Sequence, residues 1–168
     1  MRRNNGGFTL IELIVVIVIL GILAVTAAPK FVDLQSDARL ATLNGMKAAI
    51  NSAVSLTYGK SLVKGVEKNK TGSKVWINGE EVDVCYGYPC AEAAKIQKVL
   101  DIGEFNKCGA SSTPAGDWCY GEQTDTTKIN IYIANGYSAS SKCYVTYEQP
   151  TGVGVAPKVA LSPNVNEC

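Results

Sequence analysis

The amino-acid sequence predicts an α+β protein in which a long N-terminal helix packs on an antiparallel β-sheet head that disulfides staple. Three observations support this prediction. The first half of the chain shows helical periodicity. The second half contains short alternating segments separated by turn residues. All six cysteines lie in that second half, whereas the chain of 168 residues contains no histidine. This length suits one globular domain plus one special segment.

The N-terminal part of the chain begins with the polar, basic stretch Met1–Gly7, and an almost wholly apolar run from Phe8 to Ala28 follows it. About 20 apolar residues are enough to span a bilayer as a helix. Arg2 and Arg3 precede the run, so the positive-inside rule predicts a cytoplasmic N-terminus. Two simpler interpretations compete. An ordinary secretory signal has a shorter apolar part, and a plain membrane anchor does not explain Glu12.

Glu12 is the informative residue of the apolar run. A carboxylate inside an apolar helix costs about 2.5–3.5 kcal/mol on insertion, so it requires a function or a partner. Glu12 follows Phe8 by four residues. A cut between Gly7 and Phe8 would create an α-amino group one helical turn away. That amine could neutralise the carboxylate, in the same chain or in a neighbouring one.

These residues carry a resemblance. The stretch from Gly7 to Leu13, G-F-T-L-I-E-L, resembles the leader-cleavage signature of type IV prepilins. The similarity covers residues 6–43 and includes Gly21 and Pro29, where such pilins carry a helix-weakening glycine and a kinking proline. Within the family, residues 16–65 and the Tyr86–Pro89 stretch are most similar to mannose-sensitive haemagglutinin (MSHA) type pilins.

The resemblance implies the type IV pilin fold and a defined life history. A prepilin peptidase would cut between Gly7 and Phe8 and methylate the amine of Phe8. The apolar helix would wait in the inner membrane. The inner-membrane pilus assembly machinery would then pack it with identical subunits into a helical filament, an extracellular pilus or fimbrium. In that filament Glu12 would pair with the amino group of Phe8 on an adjacent subunit, and Gly21 and Pro29 would belong to the assembly segment.

Helical periodicity continues beyond Pro29, and an apolar stripe at spacings of three and four faces inward, consisting of Leu43, Met46, Ile50, Val54 and Tyr58. Gly59 is expected to stop this helix. The predicted organisation is a cleaved leader at 1–7, a transmembrane and assembly helix at 8–29, its amphipathic half at 30–59, and an α+β head at 60–168.

The head is predicted to contain four or five antiparallel strands. The clearest signal is a hairpin over Lys74–Val84 around the turn dipeptide Asn78-Gly79. A short helix is expected at Ala91–Ile102, with Ala94, Val99 and Ile102 and either Leu100 or Ile96 facing inward. A loop is expected at 106–127, and further strands at 128–133, 142–148 and 157–161.

The cysteines indicate three disulfides rather than a metal site, because no C-x2-C spacing and no histidine is present. We expect no metal and no cofactor. Six cysteines allow fifteen pairings. Similar pilins close a C-terminal surface loop with a disulfide, a place that Cys143 and Cys168 suit. The favoured set joins Cys85 to Cys90, Cys108 to Cys119 and Cys143 to Cys168.

The favoured function is that of a structural subunit of a type IV pilus for adhesion and biofilm formation. A type II secretion pseudopilin is one alternative. A DNA-binding minor pilin is another, supported by the lysine cluster at 60–74. We favour a solvated loop for that cluster and do not expect nucleic acid as a partner, because no aromatic residues are interleaved. Without histidine, a phosphate loop or a G-x-S-x-G motif, an enzyme is not expected. The surface or host ligand of the fibre is not predicted.

Overall fold

The computed structural model describes residues 8–109, 116–135, 137, 140, 142 to 163, apart from the side chains of residues 28–33. The chain divides into two compact units, Met1–Ala38 and Arg39–Cys168. We call the second unit the head. The fold class predicted from the sequence is confirmed, since the structure combines a long N-terminal helix, mainly antiparallel strands and disulfides.

The first helix, α1, extends over Leu10–Lys64. Gly59 therefore lies inside the helix, and the predicted stop at this residue is wrong. The helix ends instead at Gly65, whose φ of 71° suits glycine. Gly65 N–H donates to the carbonyl of Leu62 at 3.1 Å, and Val66 N–H donates to that of Ser61 at 3.0 Å. This pair of bonds is a Schellman motif, which satisfies the last carbonyls of a helix.

The head part of α1 buries the apolar stripe that the sequence predicts. Four of its members, Leu43, Met46, Ile50 and Val54, are buried, and Tyr58 is half-buried and stacked on Tyr88. The last turns of α1 also reach a neighbouring strand. Lys60 Nζ donates to the carbonyl of Trp76 at 2.6 Å, and Lys64 Nζ donates to that of Lys74 at 2.8 Å. Residues 60–64 thus belong to α1 and not to the solvated loop expected there.

A three-stranded sheet follows α1 and has the order β1-β2-β3. Its strands are β1 (Ser73–Ile77), β2 (Glu80–Cys85) and β3 (Tyr88–Pro89). The predicted hairpin is confirmed, because β1 and β2 pair antiparallel with Ile77 opposite Glu80. At its tip, Asn78 and Gly79 have φ values of 49° and 81°, as a two-residue I′ turn requires.

The second helix, α2 (Ala93–Leu100), precedes a five-stranded sheet. In α2, Ile96 and Val99 are buried, whereas Ala94 is exposed, so the inward placement expected for Ala94 is wrong. The five strands follow in chain order and are neighbours in the same order: β4 (Asn106–Lys107), β5 (Trp118–Tyr120), β6 (Lys128–Ile133), β7 (Tyr144–Glu148) and β8 (Lys158–Leu161).

The loop expected over residues 106–127 contains two of these strands. β4 pairs parallel to β5, and β5 pairs antiparallel to β6. Both are very short, and a disulfide links Cys108, next to β4, with Cys119 in β5. Strands of two and three residues are too short to show an alternation pattern, which is why the sequence did not reveal them.

The core of the head consists of two clusters. The larger one joins the α1 stripe to α2 and the five-stranded sheet, through Ile96, Ile129, Ile131, Val145 and Tyr147. The smaller one joins Ala53 of α1 and Val99 of α2 to the inward side chains of the β1–β2 hairpin.

Tyr147 connects the five-stranded sheet with the three-stranded one. Its hydroxyl donates to the carbonyl of Pro89 at 2.6 Å, and burial raises the pKa of Tyr147. Its phenol therefore stays protonated and keeps donating that bond.

The structure contains two of the three disulfides favoured from the sequence, Cys85–Cys90 and Cys108–Cys119. Cys143 is also in a disulfide. Cys168 lies outside the described residues, so the Cys143–Cys168 pairing stays a prediction.

Candidate functional site

The start of α1 is organised by a reciprocal set of hydrogen bonds between Thr9 and Glu12. Thr9 N–H donates to Glu12 Oε2 at 2.9 Å, and the Thr9 hydroxyl donates to the same oxygen at 2.7 Å. Glu12 N–H donates back to Thr9 Oγ1 at 3.3 Å. This is a capping box, in which an N-terminal Thr and a Glu three residues later satisfy each other's free N–H groups. Glu12 is therefore partly explained by local structure.

The second carboxylate oxygen of Glu12 remains available. The hydrogen bonds that Glu12 accepts within the described residues all go to Oε2. A carboxylate offers about four lone-pair positions on its two oxygens. The side chain can thus cap α1 and still present Oε1 to a cation from outside the helix.

Beyond the capping box, the part of α1 up to Ala27 presents an apolar surface on all sides. From Leu10 to Val25 the large apolar side chains are 46–77% exposed. The 18 residues Leu10–Ala27 are long and apolar enough to cross a membrane, with a mean hydropathy of 3.0. None of these residues is buried. Length and composition alone support this assignment, and a signal sequence near an N-terminus would meet the same criterion. A helix that is apolar all round requires lipid or protein around it.

Other predicted site residues lie within or beside this helix. Phe8 precedes it and is strongly exposed, and a Cβ at Gly21 would have no neighbouring atom within 4 Å. Thr26 donates its hydroxyl to the carbonyl of Leu23 at 3.0 Å, which satisfies a polar group in apolar surroundings. The backbone of Pro29 is helical, and its side chain lies outside the description. Gly7, the predicted cleavage residue, also lies outside the described residues.

Sequence reasoning missed the role of Thr9. The signal was present, because a threonine followed three residues later by glutamate, just before an apolar run, is the pattern of a capping box. Nothing in the described residues gives positive evidence of catalysis. In that part of the chain, no group of three or more His, Cys, Asp or Glu side chains could hold a metal ion.

Comparisons with known proteins extend these observations. The prokaryotic N-terminal methylation motif matches residues 2–28. The chain is 52% identical over 74 residues to the type IV narrow pilus major component PilA5 of Thermus thermophilus, covering 44% of this chain and 60% of that protein. It is 38% identical over 77 residues to the type IV major alpha-pilin of Moraxella bovis, covering 45% and 48% of the two chains. These matches support the type IV pilin family.

The chain is also similar to a component of a secretion system. The chain is 42% identical over 55 residues to the type II secretion system core protein G of Pseudomonas aeruginosa, covering 33% of this chain and 39% of that protein. The chain therefore spans between 39% and 60% of the length of these three relatives. No solved structure matches the chain. The methylation motif thus covers the apolar part of α1, Leu10–Ala27.

Proposed function

We propose that this chain is a structural subunit of a type IV pilus, which polymerises through α1 into a surface filament for adhesion and biofilm formation. The observation that carries the proposal is the exposed apolar helix over Leu10–Ala27, with the carboxylate of Glu12 at its start, inside the N-terminal methylation motif. Such a surface requires the inner membrane before assembly and neighbouring subunits afterwards. The function is mechanical and involves no catalysis by this chain.

In this proposal a prepilin peptidase cuts between Gly7 and Phe8 and methylates the new amine of Phe8. Oε1 of Glu12 then binds the amine of Phe8 on an adjacent copy. Removing one partner of an ion pair in apolar surroundings is costly, so only the register that joins the two charges is favourable. Gly21 and Pro29 would weaken the helix locally, since glycine leaves its backbone more conformational freedom and proline lacks the N–H of a helical hydrogen bond. Both would let the helix adapt during packing.

A pseudopilin of type II secretion is the second candidate, favoured by the similarity to core protein G. The disulfides of the head favour an exposed fibre, because covalent links stabilise proteins outside the cell. Within pilins, the resemblance of residues 16–65 supports an MSHA-type subunit.

Nucleic acid is not among the proposed partners. In the lysine cluster at 60–74, the ammonium groups of Lys60 and Lys64 bind backbone carbonyls, and Lys74 pairs with Glu81 at 3.5 Å.

The experiment compares three forms of the chain in the producing bacterium: wild type, Glu12→Gln and Glu122→Gln. Glutamine at position 12 keeps the capping acceptor and removes only the charge, because Gln replaces Glu in capping boxes. Glu122 is a matched control on the head, where it pairs with Lys107 in an exposed position. Sheared surface fibres are isolated, and the intact mass of the subunit is measured with and without reduction.

Wild-type fibres should contain a subunit that lacks Met1–Gly7, carries one added methyl group and has lost two hydrogens per disulfide. Glu122→Gln should give the same yield of fibres, whereas Glu12→Gln should leave processed subunit in the membrane and no fibres. Retention of Met1–Gly7, or cleavage elsewhere, would contradict the pilin assignment. Correct processing without any surface fibre from the wild type would favour the pseudopilin.

A further inference from the structure

We propose that two apolar patches of the head dock onto each other between neighbouring copies of this chain, head to tail. The first, the helix patch, consists of Ser55, Leu56, Gly59, Lys60 and Val63 on α1. The second, the valine loop, consists of residues 150–157 between β7 and β8. This inference rests on the proposed function, because it names the contact that the heads make once copies are brought together in a filament.

The helix patch is an open apolar hollow of about 380 Å³. Its residues recur at spacings of three and four along α1, so they share one face of the helix. Val63 is 92% exposed and Leu56 is 50% exposed, although the opposite face of the same helix buries Leu43, Met46, Ile50 and Val54. At Gly59 a Cβ would meet no atom within 4 Å, so the helix backbone lies open to a visiting group at the floor of the hollow.

The lysine ammonium groups at this patch each donate a hydrogen bond to the backbone of β1. Lys60 lines the hollow with its side chain, and its ammonium donates to the carbonyl of Trp76 at 2.6 Å. Lys64, one residue after Val63, donates to the carbonyl of Lys74 at 2.8 Å. Both ammonium groups are thus held at the backbone of β1, and the lining that an occupant of the hollow would meet is mainly apolar.

The valine loop has the complementary character. Residues 150–157, P-T-G-V-G-V-A-P, contain no charged side chain. Val153 is 56% exposed and Val155 is 45% exposed. A turn presents them, since Val155 N–H donates to the carbonyl of Gly152 at 3.3 Å and Gly154 has a φ of 75°. Two valine side chains on a narrow turn are small enough to enter the hollow over Gly59.

The occupant is a second copy of this chain because each copy carries both surfaces. In the described part of the head, the exposed large apolar side chains are Leu56, Leu62, Val63, Trp76, Val153 and Val155. All of them belong to the helix patch, to α1 and β1 beside it, or to the valine loop. Contacts between two different surfaces do not saturate in a dimer and continue as an open chain when the rotation does not close. An open chain of such contacts is the arrangement that a filament requires.

The experiment uses the full chain in cells that make fibres, with cysteines introduced in pairs. The test pair is Val63→Cys with Val153→Cys in one chain. The control pair combines Val63→Cys with Asn44→Cys, since Asn44 is exposed and lies on neither patch. The two single variants Val63→Cys and Val153→Cys are made as well. Sheared fibres are oxidised briefly and separated on non-reducing gels after denaturation.

The test pair should shift most of the subunit from monomer into a ladder of dimers, trimers and longer chains. The control pair and the single variants should stay monomeric. Fibres without a ladder in the test pair would overturn the docking proposal while leaving the proposed function intact. Dimers in a single variant would overturn it too, because they indicate a symmetric contact. Sheared fibres that do not contain this chain would instead contradict the proposed function itself.

Discussion

The two units of the chain use the same kinds of residue in opposite ways. In the first unit, Leu10–Val25 place leucine, isoleucine and valine outward, with 46–77% of each large side chain exposed. In the head, the same residue types form a core in which the buried apolar side chains are 0–8% exposed. The head buries most of its apolar side chains within itself, whereas the first unit has apolar surface that requires lipid or other protein around it. One chain thus combines a unit that buries its apolar residues with a unit that exposes them.

Polar side chains follow a common rule in both units. Thr26 of the first unit donates to the carbonyl of Leu23 at 3.0 Å, and Thr57 of the head donates to that of Ala53 at 2.7 Å. Each hydroxyl is satisfied by its own helix, so neither needs a partner from elsewhere. In apolar surroundings a hydroxyl without such a bond would cost free energy.

The largest expected effect comes from truncating one apolar residue in each unit. Ile50→Ala should lower the free energy of unfolding of the head by about 2–5 kcal/mol, because it leaves a cavity in the core. Leu20→Ala should change that free energy by less than about 0.5 kcal/mol, since Leu20 is exposed in the first unit. Urea unfolding of the detergent-solubilised chain, followed by near-UV circular dichroism, measures both. Equal losses would show that the first unit contributes to the stability of the head.

The disulfides sharpen the comparison within the head. Their sequence separations are 11 for Cys108–Cys119 and 5 for Cys85–Cys90. The chain-entropy relation then predicts losses of about 3 and about 2 kcal/mol when each pair is replaced by alanine. The free energies of unfolding of the two double variants and of wild type show which disulfide contributes more. A larger loss from Cys85 and Cys90 would indicate that the entropy of the unfolded chain does not govern these links.

The smallest effect concerns pH. Lys95 Nζ lies 2.6 Å from Asp83 Oδ2, and this hydrogen bond lowers the pKa of Asp83 below 3.8. The folded carboxyl thus has the lower pKa, so its stabilisation is present above about pH 4 and is lost as pH falls through the folded pKa. The same bond raises the pKa of Lys95, so the contribution of the amine persists until the pH rises through a value above 10.5.

Asp83→Asn should therefore cost about 0.5–1 kcal/mol at pH 7, and the difference from wild type should shrink towards pH 2. Glu122→Gln is the control, because the Lys107–Glu122 pair is more exposed and its loss should change stability by less than about 0.5 kcal/mol. The free energy of unfolding in urea is measured at both pH values. A difference that grows on acidification would contradict the assigned role of Asp83.

Sequence reasoning succeeded where a local pattern has one physical solution. The Asn78-Gly79 dipeptide favours a turn with positive φ. The apolar residues from Leu43 to Val54 are spaced so that they lie on one face of a helix, which is the face that is buried. It failed at Gly59, because tertiary bonds from Lys60, Ser61 and Lys64 continue the helix that the glycine would otherwise end. It also missed β4 and β5, because two and three residues are too few to show alternation.

The lysines that end α1 have a consequence for any crowded array of heads. β1 is an edge strand, and the carbonyls of Lys74 and Trp76 accept hydrogen bonds from Lys64 and Lys60. An open edge is a template on which a second strand can pair and start a cross-β aggregate. Here two ammonium groups occupy the acceptors that such a strand would use. Heads that meet at high local concentration should therefore keep their sheets separate along this edge, so aggregation through β1 is suppressed.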